Sequence, residues 1–340
     1  MTKFLRYLIL LIFTLLALSI FIVQREQIPF PASPGPVFDD EVSRVIEGNL
    51  ATVRPDMILL GDSVVELNID SSALGRQLGQ TIYPLNFNAS SSALWYLALK
   101  NNIVVSPYKP KTLVIVFRDT ILTIPAYRAH RTHPEILDAF ATSQDDPVIQ
   151  RTFVAPMNPL EKIGESYFPL YRQRTGIRTS VDFFIRYQPP RFLLKCGKRC
   201  LDIALDDVLS GDQWIPALLN DHIAGVEDEL YTRRALDFHR QVDGSFLPDI
   251  IRLCRANDIR LIFVHAKTLR LPKNAYEPAL LKQYLRDLAD YLGQNHVSYL
   301  DLATDPRIRA EDFSDSIHIF PSGVERYTQA LADALKTVLP

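Results

Sequence analysis

Three residues of this sequence have the chemistry of a nucleophile and its base. Ser63 ends a Gly-Asp-Ser turn at 61–63 that directly follows the apolar residues 57–60. Such a turn leaves the serine hydroxyl at the carboxyl end of a predicted strand, where open α/β sheets place their sites. Far downstream, Asp315 and His318 are three residues apart, and a carboxylate at that spacing can orient an imidazole toward the hydroxyl. Together they predict a serine nucleophile activated by a histidine base.

The elements that would position these residues are alternating strands and helices. Near-continuous apolar runs separated by helical segments are typical of a parallel sheet covered on both faces. The sequence therefore predicts an α/β protein, a three-layer α/β/α sandwich with a central parallel sheet. A capping box, Ser322-x-x-Glu325, predicts the start of the last helix. The predicted strands are residues 57–60, 82–87, 112–117, 259–264 and 297–302.

Two blocks of the sequence resemble the SGNH (GDSL) hydrolase superfamily. In that family the nucleophile lies in a Gly-Asp-Ser turn after the first strand, and an Asp-x-x-His near the C-terminus completes the triad. Gly61-Asp62-Ser63 and Asp315-x-x-His318 match these blocks in the same order. The Pro-Ser-Gly at 321–323 is also similar to the family's usual lead into its last helix.

The resemblance implies a fold of the SGNH-hydrolase or flavodoxin-like type and an ester hydrolase or O-acyltransferase. It implies that Ser63, His318 and Asp315 are the catalytic triad, without a cofactor or a metal. Asp62 cannot easily reach His318 from the position before the nucleophile, so we expect it to structure the turn.

An oxyanion hole should accompany the triad. By the resemblance, the amide of the nucleophile, a glycine amide after the second strand and an asparagine side chain after the third would supply its donors. Residues 86–91 stand at the second block, with Ser91 in place of the glycine and Asn88 as a further candidate ligand. A serine keeps its backbone N–H, so Ser91 can serve where the local dihedral allows it. Arg118 stands in place of the asparagine. It is interpreted as a charged oxyanion donor, as a ligand for an anionic substrate, or as a structural arginine paired with Asp119 or anchored under a cap.

The N-terminal segment differs in kind from the rest of the chain. Residues 7–23 are uncharged and largely apolar, near the lower limit of about 17 residues for a spanning helix. Because Lys3 and Arg6 precede them, the amino end should stay in the cytoplasm, with the catalytic domain in the periplasm or outside the cell. A cleaved signal peptide is the alternative, but its apolar core is usually only about 7–15 residues. The sequence favours an uncleaved single-pass anchor at 1–23.

The remainder divides by composition and pattern. Cys196 and Cys200 could close a small disulfide loop or stay free thiols. Cys254 lies on the apolar face of a predicted helix, and this position predicts a buried thiol.

The predicted segments are a Pro-rich linker with a short helix at 24–53, the first half of the SGNH-like domain at 54–119, an inserted cap or lid at 120–242, and the second half at 243–340.

Composition and the absence of certain motifs reduce the number of function classes that the sequence supports. The chain has 340 residues and a net charge of -2, which gives no case for a nucleic-acid partner. It has no Walker A sequence and no H-E-x-x-H motif, and His130 with His133 lacks an obvious third metal ligand. His265, at the end of the fourth predicted strand, either lines the site or is hydrogen-bonded within the core.

The leading hypothesis is a membrane-anchored esterase or O-acyltransferase that acts on O-acyl, chiefly acetyl, esters of a cell-envelope glycan. The bilayer and a membrane protein are the other candidate partners. A non-catalytic SGNH-fold protein that binds a polysaccharide or a membrane partner is the competing hypothesis. A phospholipid or lipoprotein esterase is the third.

Overall fold

The structure is a computed structural model that describes residues 2–25, 27, 29–38, 41–128, 137–174, 228–269 and 277–340. The chain divides into two compact units, Met1–Pro36 with Val154–Ala224, and Val37–Phe153 with Gly225–Pro340. The second unit holds the sheet and the three residues of the predicted triad. The cap predicted at 120–242 overlaps both units and stays a prediction, and Cys196 and Cys200 lie outside the described residues.

Five parallel strands form the sheet of the second unit, in the spatial order β2-β1-β3-β4-β5. Every residue of β1 and β3 is buried, as a sheet covered on both faces requires. The strand order is that of flavodoxin-like sheets, and each strand begins and ends within one residue of its predicted bounds. The predicted α/β class with a central parallel sheet is therefore confirmed. The strands are β1 Met57–Gly61, β2 Ile82–Asn86, β3 Thr112–Phe117, β4 Arg260–His265 and β5 Ser298–Asp301.

Helices occur in both units, and among the described residues two of them belong to the first unit beside the N-terminal one. The described helices of four or more residues that bear on the argument are α1 Thr2–Arg25, α2 Val45–Val53, α3 Ser63–Asn68, α4 Ser71–Leu78, α5 Ser92–Ala98, α6 Pro159–Tyr167, α7 Pro169–Arg172, α8 Phe238–Gln241, α9 Leu247–Ala256, α10 Glu277–Gln294 and α11 Pro321–Lys336.

Two hydrophobic cores cover the two faces of the sheet. Because side chains alternate along a strand, Ile58 and Leu60 of β1 enter one core, which α2, α5, α9 and α10 complete. Met57 and Leu59 enter the other core, which α3, α4 and α11 complete. The second unit is thus the three-layer sandwich that the sequence predicts.

The structure corrects the start of the last helix. Helix α11 begins at Pro321, and Phe320 before it makes no capping hydrogen bond with its side chain. The capping box predicted at Ser322 is wrong because proline takes the first helical position, where its missing N–H costs nothing. Ser322 therefore lies inside the first turn.

Parts of the predicted linker and cap pack into the sheet unit. Leu50 of α2 is buried in its core. Leu122 and Tyr127, after β3, and Leu230 and Phe238, before α9, are buried in the same core. The chain leaves and re-enters the sandwich through packed segments at both ends of the predicted cap.

The first unit contains the N-terminal helix. Within α1, the most apolar 18-residue window of Lys3–Arg25 has a mean hydropathy of 2.6, and this stretch is long and apolar enough to cross a membrane. A signal sequence shares these features. Helix α6 begins with a complete capping box, in which Asn158 and Glu161 exchange side-chain and backbone hydrogen bonds.

Candidate active site

Ser63, His318 and Asp315 form a connected hydrogen-bond relay at the carboxyl end of β1. The hydroxyl of Ser63 lies 2.7 Å from Nε2 of His318, and Nδ1 of His318 lies 2.7 Å from Oδ2 of Asp315. Ser63 is the first residue of α3, whereas the other two lie in the loop before α11. The structure thus brings the three residues together in the predicted order.

The relay lies where the strand order of the sheet reverses. The chain runs from β1 to β2 on one side and then crosses to β3 on the other. In such sheets the ligand site lies beyond the carboxyl ends of the strands at this point. Ser63 follows β1 and Arg118 follows β3, so both border the place where this fold binds its ligands.

Asp315 is held firmly although its side chain is 52% exposed. Its Oδ1 accepts hydrogen bonds from the amides of Ile317 and His318, each at 2.8 Å. Partial burial acts to raise the pKa of Asp315, but the Ile317 amide and the side chain and amide of His318 outweigh it and hold that pKa below its ordinary value. An ionised Asp315 accepts a hydrogen bond from Nδ1–H of His318, so Nε2 carries no proton and can accept the proton of Ser63.

Asn68, which the sequence does not single out, fixes the base on the helix of the nucleophile. It is the fully buried last residue of α3. Its Nδ2 donates to the carbonyl of Ile317 at 2.8 Å, and its Oδ1 accepts from the amide of Ile319 at 2.9 Å. The two bonds hold the backbone on either side of His318. Asn68 therefore ties the loop of the base to the helix that begins at Ser63.

The turn before the nucleophile is held from two sides. Oδ1 of Asp62 accepts from the amide of Val64 at 3.0 Å, as the N-cap of α3, and Oδ2 accepts from Nε of Arg118 at 3.0 Å. A Cβ at Gly61 would lie 2.8 Å from the carbonyl oxygen of Val116, so the close approach of β1 and β3 requires glycine here. In this structure Asp62 shapes the turn and does not contact the base.

Arg118 is buried within the protein and is not open to a ligand. It is 1% exposed, its Nη2 donates to the hydroxyl of Tyr127 at 3.0 Å, and its guanidinium carbon lies 5.9 Å from the centre of that ring. Of the three interpretations, this placement favours an anchored structural arginine, with Asp62 as its acidic partner in place of the expected Asp119. The geometry does not support Arg118 as an oxyanion donor or a substrate ligand.

Ser91 belongs to the same buried network, whereas Asn88 does not. The Ser91 hydroxyl donates to the carbonyl of Tyr127 at 3.0 Å, and its φ of -147° is extended backbone that any residue adopts. The glycine of the family pattern is therefore not required. Asn88 is exposed in the turn after β2. Tyr127, which no sequence motif marks, links the second and third blocks by binding Ser91 through its carbonyl and Arg118 through its hydroxyl.

A second histidine is buried at the same edge of the sheet. Nδ1 of His265 lies 2.9 Å from Oδ1 of Asp301, and its Nε2 lies 3.6 Å from Oδ1 of Asp119, an ion pair too long for a hydrogen bond. Burial acts to lower the pKa of His265, but the two carboxylates outweigh it and raise that pKa to about 9. Tyr231 also donates to Asp119. This buried cluster favours the interpretation of His265 as a hydrogen-bonded core residue.

Metal-binding and thiol chemistry have little support in the described part of the chain. No group of three or more His, Cys, Asp or Glu side chains there is placed to hold a metal ion. His130 and His133 lie outside the described residues. Cys254 is buried in α9, and burial raises the pKa of its thiol to about 12, so this thiol stays protonated and inert.

No family model matches the chain, and no curated protein matches it. Several solved structures are similar over most of its length. A GDSL-like lipase from Bacteroides thetaiotaomicron is 10% identical, and the alignment covers 86% of this chain and 98% of that chain at a TM-score of 0.36. An acetyl xylan esterase is 8% identical, with coverages of 83% and 99% and a TM-score of 0.38. A variant of an acetyl-xylooligosaccharide esterase from Geobacillus is also 8% identical, with coverages of 83% and 94% and a TM-score of 0.39. At these identities and TM-scores, no conclusion about this chain follows from the likeness.

Proposed function

We propose that the chain is a serine esterase or O-acyltransferase in which Ser63, His318 and Asp315 act as nucleophile, base and acid. The observation that carries the proposal is the relay, with 2.7 Å from hydroxyl to imidazole and 2.7 Å from imidazole to carboxylate. A hydroxyl within hydrogen-bond reach of a base that a third group orients is the arrangement that activates a serine.

The proposed reaction proceeds through an acyl-enzyme. Oγ of Ser63 attacks the carbonyl carbon of an ester while Nε2 of His318 takes the hydroxyl proton. When the bond to the alcohol oxygen breaks, the imidazolium gives its proton to that oxygen, and Ser63 is left acylated. Water or an acceptor hydroxyl then attacks the acyl carbon by the reverse route, and this choice separates hydrolysis from transfer. Asp315 stabilises the imidazolium and fixes its tautomer.

The tetrahedral intermediate also needs donors for its oxyanion. The amide of Ser63 is one candidate, because the first amides of a helix have no partner within the helix. By the resemblance, the amide of Ser91 is the second, and the exposed Asn88 is a candidate ligand for the substrate or the oxyanion. Since Arg118 is paired with Asp62, neutral donors would carry this stabilisation, at about 3–4 kcal/mol for a well-placed donor.

We assign the reaction to O-acyl, chiefly acetyl, esters of a cell-envelope glycan. The support is helix α1, which is long and apolar enough to cross a membrane, together with the resemblance to membrane-anchored SGNH-like proteins. Lys3 and Arg6 before the apolar run favour a cytoplasmic N-terminus and a sheet unit in the periplasm or outside the cell. The bilayer, through residues 1–23, and a membrane protein are proposed as further partners.

A non-catalytic protein that binds a polysaccharide or a membrane partner is the second candidate. One observation favours it. The burial of Arg118 leaves the third block of the resemblance without an accessible side-chain donor at the position where the family has its asparagine.

The test is covalent labelling of the full chain in detergent with a fluorophosphonate, which reacts with activated serines. We expect labelling of the wild type and its loss in Ser63→Ala and in His318→Ala. The matched controls are Ser72→Ala and His239→Ala, which change exposed residues of α4 and α8 and should label normally. A folded wild type that does not label would contradict the proposed reaction and favour the binding protein.

A second assay addresses the acyl group. Release of acetate from an acetylated polysaccharide, compared with release of fatty acid from phospholipid, separates the glycan esterase from the phospholipid or lipoprotein esterase. We expect acetate release that depends on Ser63. Fatty acid release alone would contradict the glycan assignment and leave the serine chemistry intact.

A further inference from the structure

Helix α6 in the first unit presents an apolar face to the outside of the protein. Leu160, Ile163 and Tyr167 follow the spacing i, i+3 and i+7, which places them on one side of the helix. Phe168 follows directly as the residue that caps α6 at its C-terminal end. In a helix that packs on a globular core, such a face is buried. Here the four side chains are between 48% and 78% exposed.

This face lies beside the N-terminal helix. A cavity of about 600 Å³ is lined by Ile12, Leu15 and Leu16 of α1 and by Leu160 and Phe168 among others. The three α1 side chains are themselves 44–53% exposed. The exposed apolar surface of α6 is therefore continuous with that of α1.

The position of the cavity along α1 sets its depth if α1 spans a bilayer. At 1.5 Å per residue, Ser19 and Ile12 lie about 9 and about 20 Å from Arg25 at the end of the helix. The hydrocarbon core of a bilayer is about 30 Å thick, so one leaflet occupies about 15 Å. For a helix along the membrane normal, the cavity lies within the hydrocarbon core, from about 9 Å inside the end of α1 to just beyond the midplane.

Several polar groups at the start of α6 have partners within the protein, which lowers the cost of a non-aqueous surrounding. The Asn158 side chain accepts from the amide of Glu161 at 2.9 Å, and the Glu161 carboxylate accepts from the amide of Asn158 at 2.7 Å. Pro159 at the first helical position has no N–H to satisfy. The buried Glu165 is paired with Arg174. Unpaired polar groups are what hydrocarbon excludes.

We propose that the apolar face of α6 and Phe168 is immersed in the membrane leaflet beside α1, and that phospholipid acyl chains fill the cavity between the two helices. The inference rests on the membrane span proposed for α1. Acyl chains are the favoured occupant because the α1 wall of the cavity is the lipid-facing surface of a spanning helix. With these side chains in hydrocarbon, α6 would hold the first unit against the bilayer.

The experiment uses the full chain in nanodiscs of phosphatidylcholine with or without bromine on the acyl chains. Bromine quenches the fluorescence of a nearby tryptophan. Leu160→Trp and Phe168→Trp report on the proposed contact, Phe13→Trp reports on α1, and Val105→Trp is an exposed control in the second unit. The parent protein gives the emission of the two native tryptophans for subtraction. We expect brominated lipid to remove most of the added emission at 160, 168 and 13 and none at 105.

Quenching at 13 without quenching at 160 and 168 would overturn the proposal and would leave this face for a second copy of the chain or for a membrane protein. If brominated lipid quenches none of the positions 13, 160 and 168, both the proposal and the membrane span of α1 would be overturned. Fluorophosphonate labelling of Ser63 in the same samples depends on neither result, so it tests the proposed reaction separately.

Discussion

Replacing Asn68 should damage stability and reactivity together, because this side chain is the buried link between the helix of the nucleophile and the loop of the base. Asn68→Ala removes the hydrogen bonds to the carbonyl of Ile317 and from the amide of Ile319. A buried group left without its partner costs about 1–3 kcal/mol. Ile319 is buried, so water replaces the bond from its amide poorly. Ile317 is partly exposed, so water replaces the bond to its carbonyl better. We expect the free energy of unfolding to fall by about 2–4 kcal/mol.

The effect on reactivity comes from the base. Freed from Asn68, the loop can move His318 away from Ser63, and a misplacement of about 1 Å can cost a factor of about 100 in rate. We expect fluorophosphonate labelling of Asn68→Ala to slow by a factor of about 10–100 under conditions where the protein is folded. Asn68→Asp keeps the acceptor for Ile319 but places a buried carboxylate oxygen opposite the carbonyl of Ile317, so it should destabilise the protein at least as much as Asn68→Ala.

The assays are urea unfolding followed by tryptophan fluorescence and the labelling rate below the unfolding transition. Asn102→Ala is the matched control, since Asn102 is fully buried and its side-chain nitrogen and oxygen have no hydrogen-bond partner in the structure. Its substitution should leave the labelling rate unchanged. An Asn68→Ala protein with wild-type stability and labelling would refute the reasoning, and so would an Asn102→Ala protein that labels as slowly as Asn68→Ala.

Three further predictions follow from the buried groups around the site. Arg118→Met leaves the Asp62 carboxylate buried and unpaired, which should cost about 3–5 kcal/mol; urea unfolding measures it, and a double variant with Asp62→Asn should lose less than the sum of the two single losses. The raised pKa of His265 contributes stability in full below pH 6.5 that disappears as the pH rises through about 9. The free energy of unfolding should therefore fall over this range, by an amount on the order of 3 kcal/mol, and a His265→Gln variant whose slope is unchanged would contradict this assignment. Gly61→Ala puts a Cβ 2.8 Å from the carbonyl oxygen of Val116, so we expect a loss of about 1–3 kcal/mol and slower labelling, and wild-type values in both assays would count against the close approach.

The strands could be predicted from the sequence because each is a near-continuous apolar run, and burial on both faces of a parallel sheet produces that pattern. Local signals were less reliable. The capping box at Ser322 failed because Pro321 starts the helix one residue earlier. Helix α5 continues as a π-helical turn at Leu99–Ile103, and a change in helix type leaves no mark on the apolar period.

The site could be predicted only as far as its residue types carry its chemistry. Ser63, Asp315 and His318 stand in motifs whose order and spacing are readable. The direction of the Arg118 side chain is not readable, because it depends on Asp62, which is 56 positions away in the chain, and on Tyr127. Asn68 has no signal at all, since a single polar residue at the end of a short helix looks like a surface residue until the fold buries it.

The wide separation of the relay along the chain affects when the serine becomes reactive. Ser63 and His318 are 255 positions apart, so the ribosome makes the proposed nucleophile well before the proposed base. Until α11 and the loop before it are synthesised and packed on the sheet, Ser63 is an ordinary alcohol. A nascent chain or a fragment that lacks His318 would therefore not react with esters through Ser63. The proposed activity is therefore delayed until the loop of His318 has been made and has packed beside Ser63.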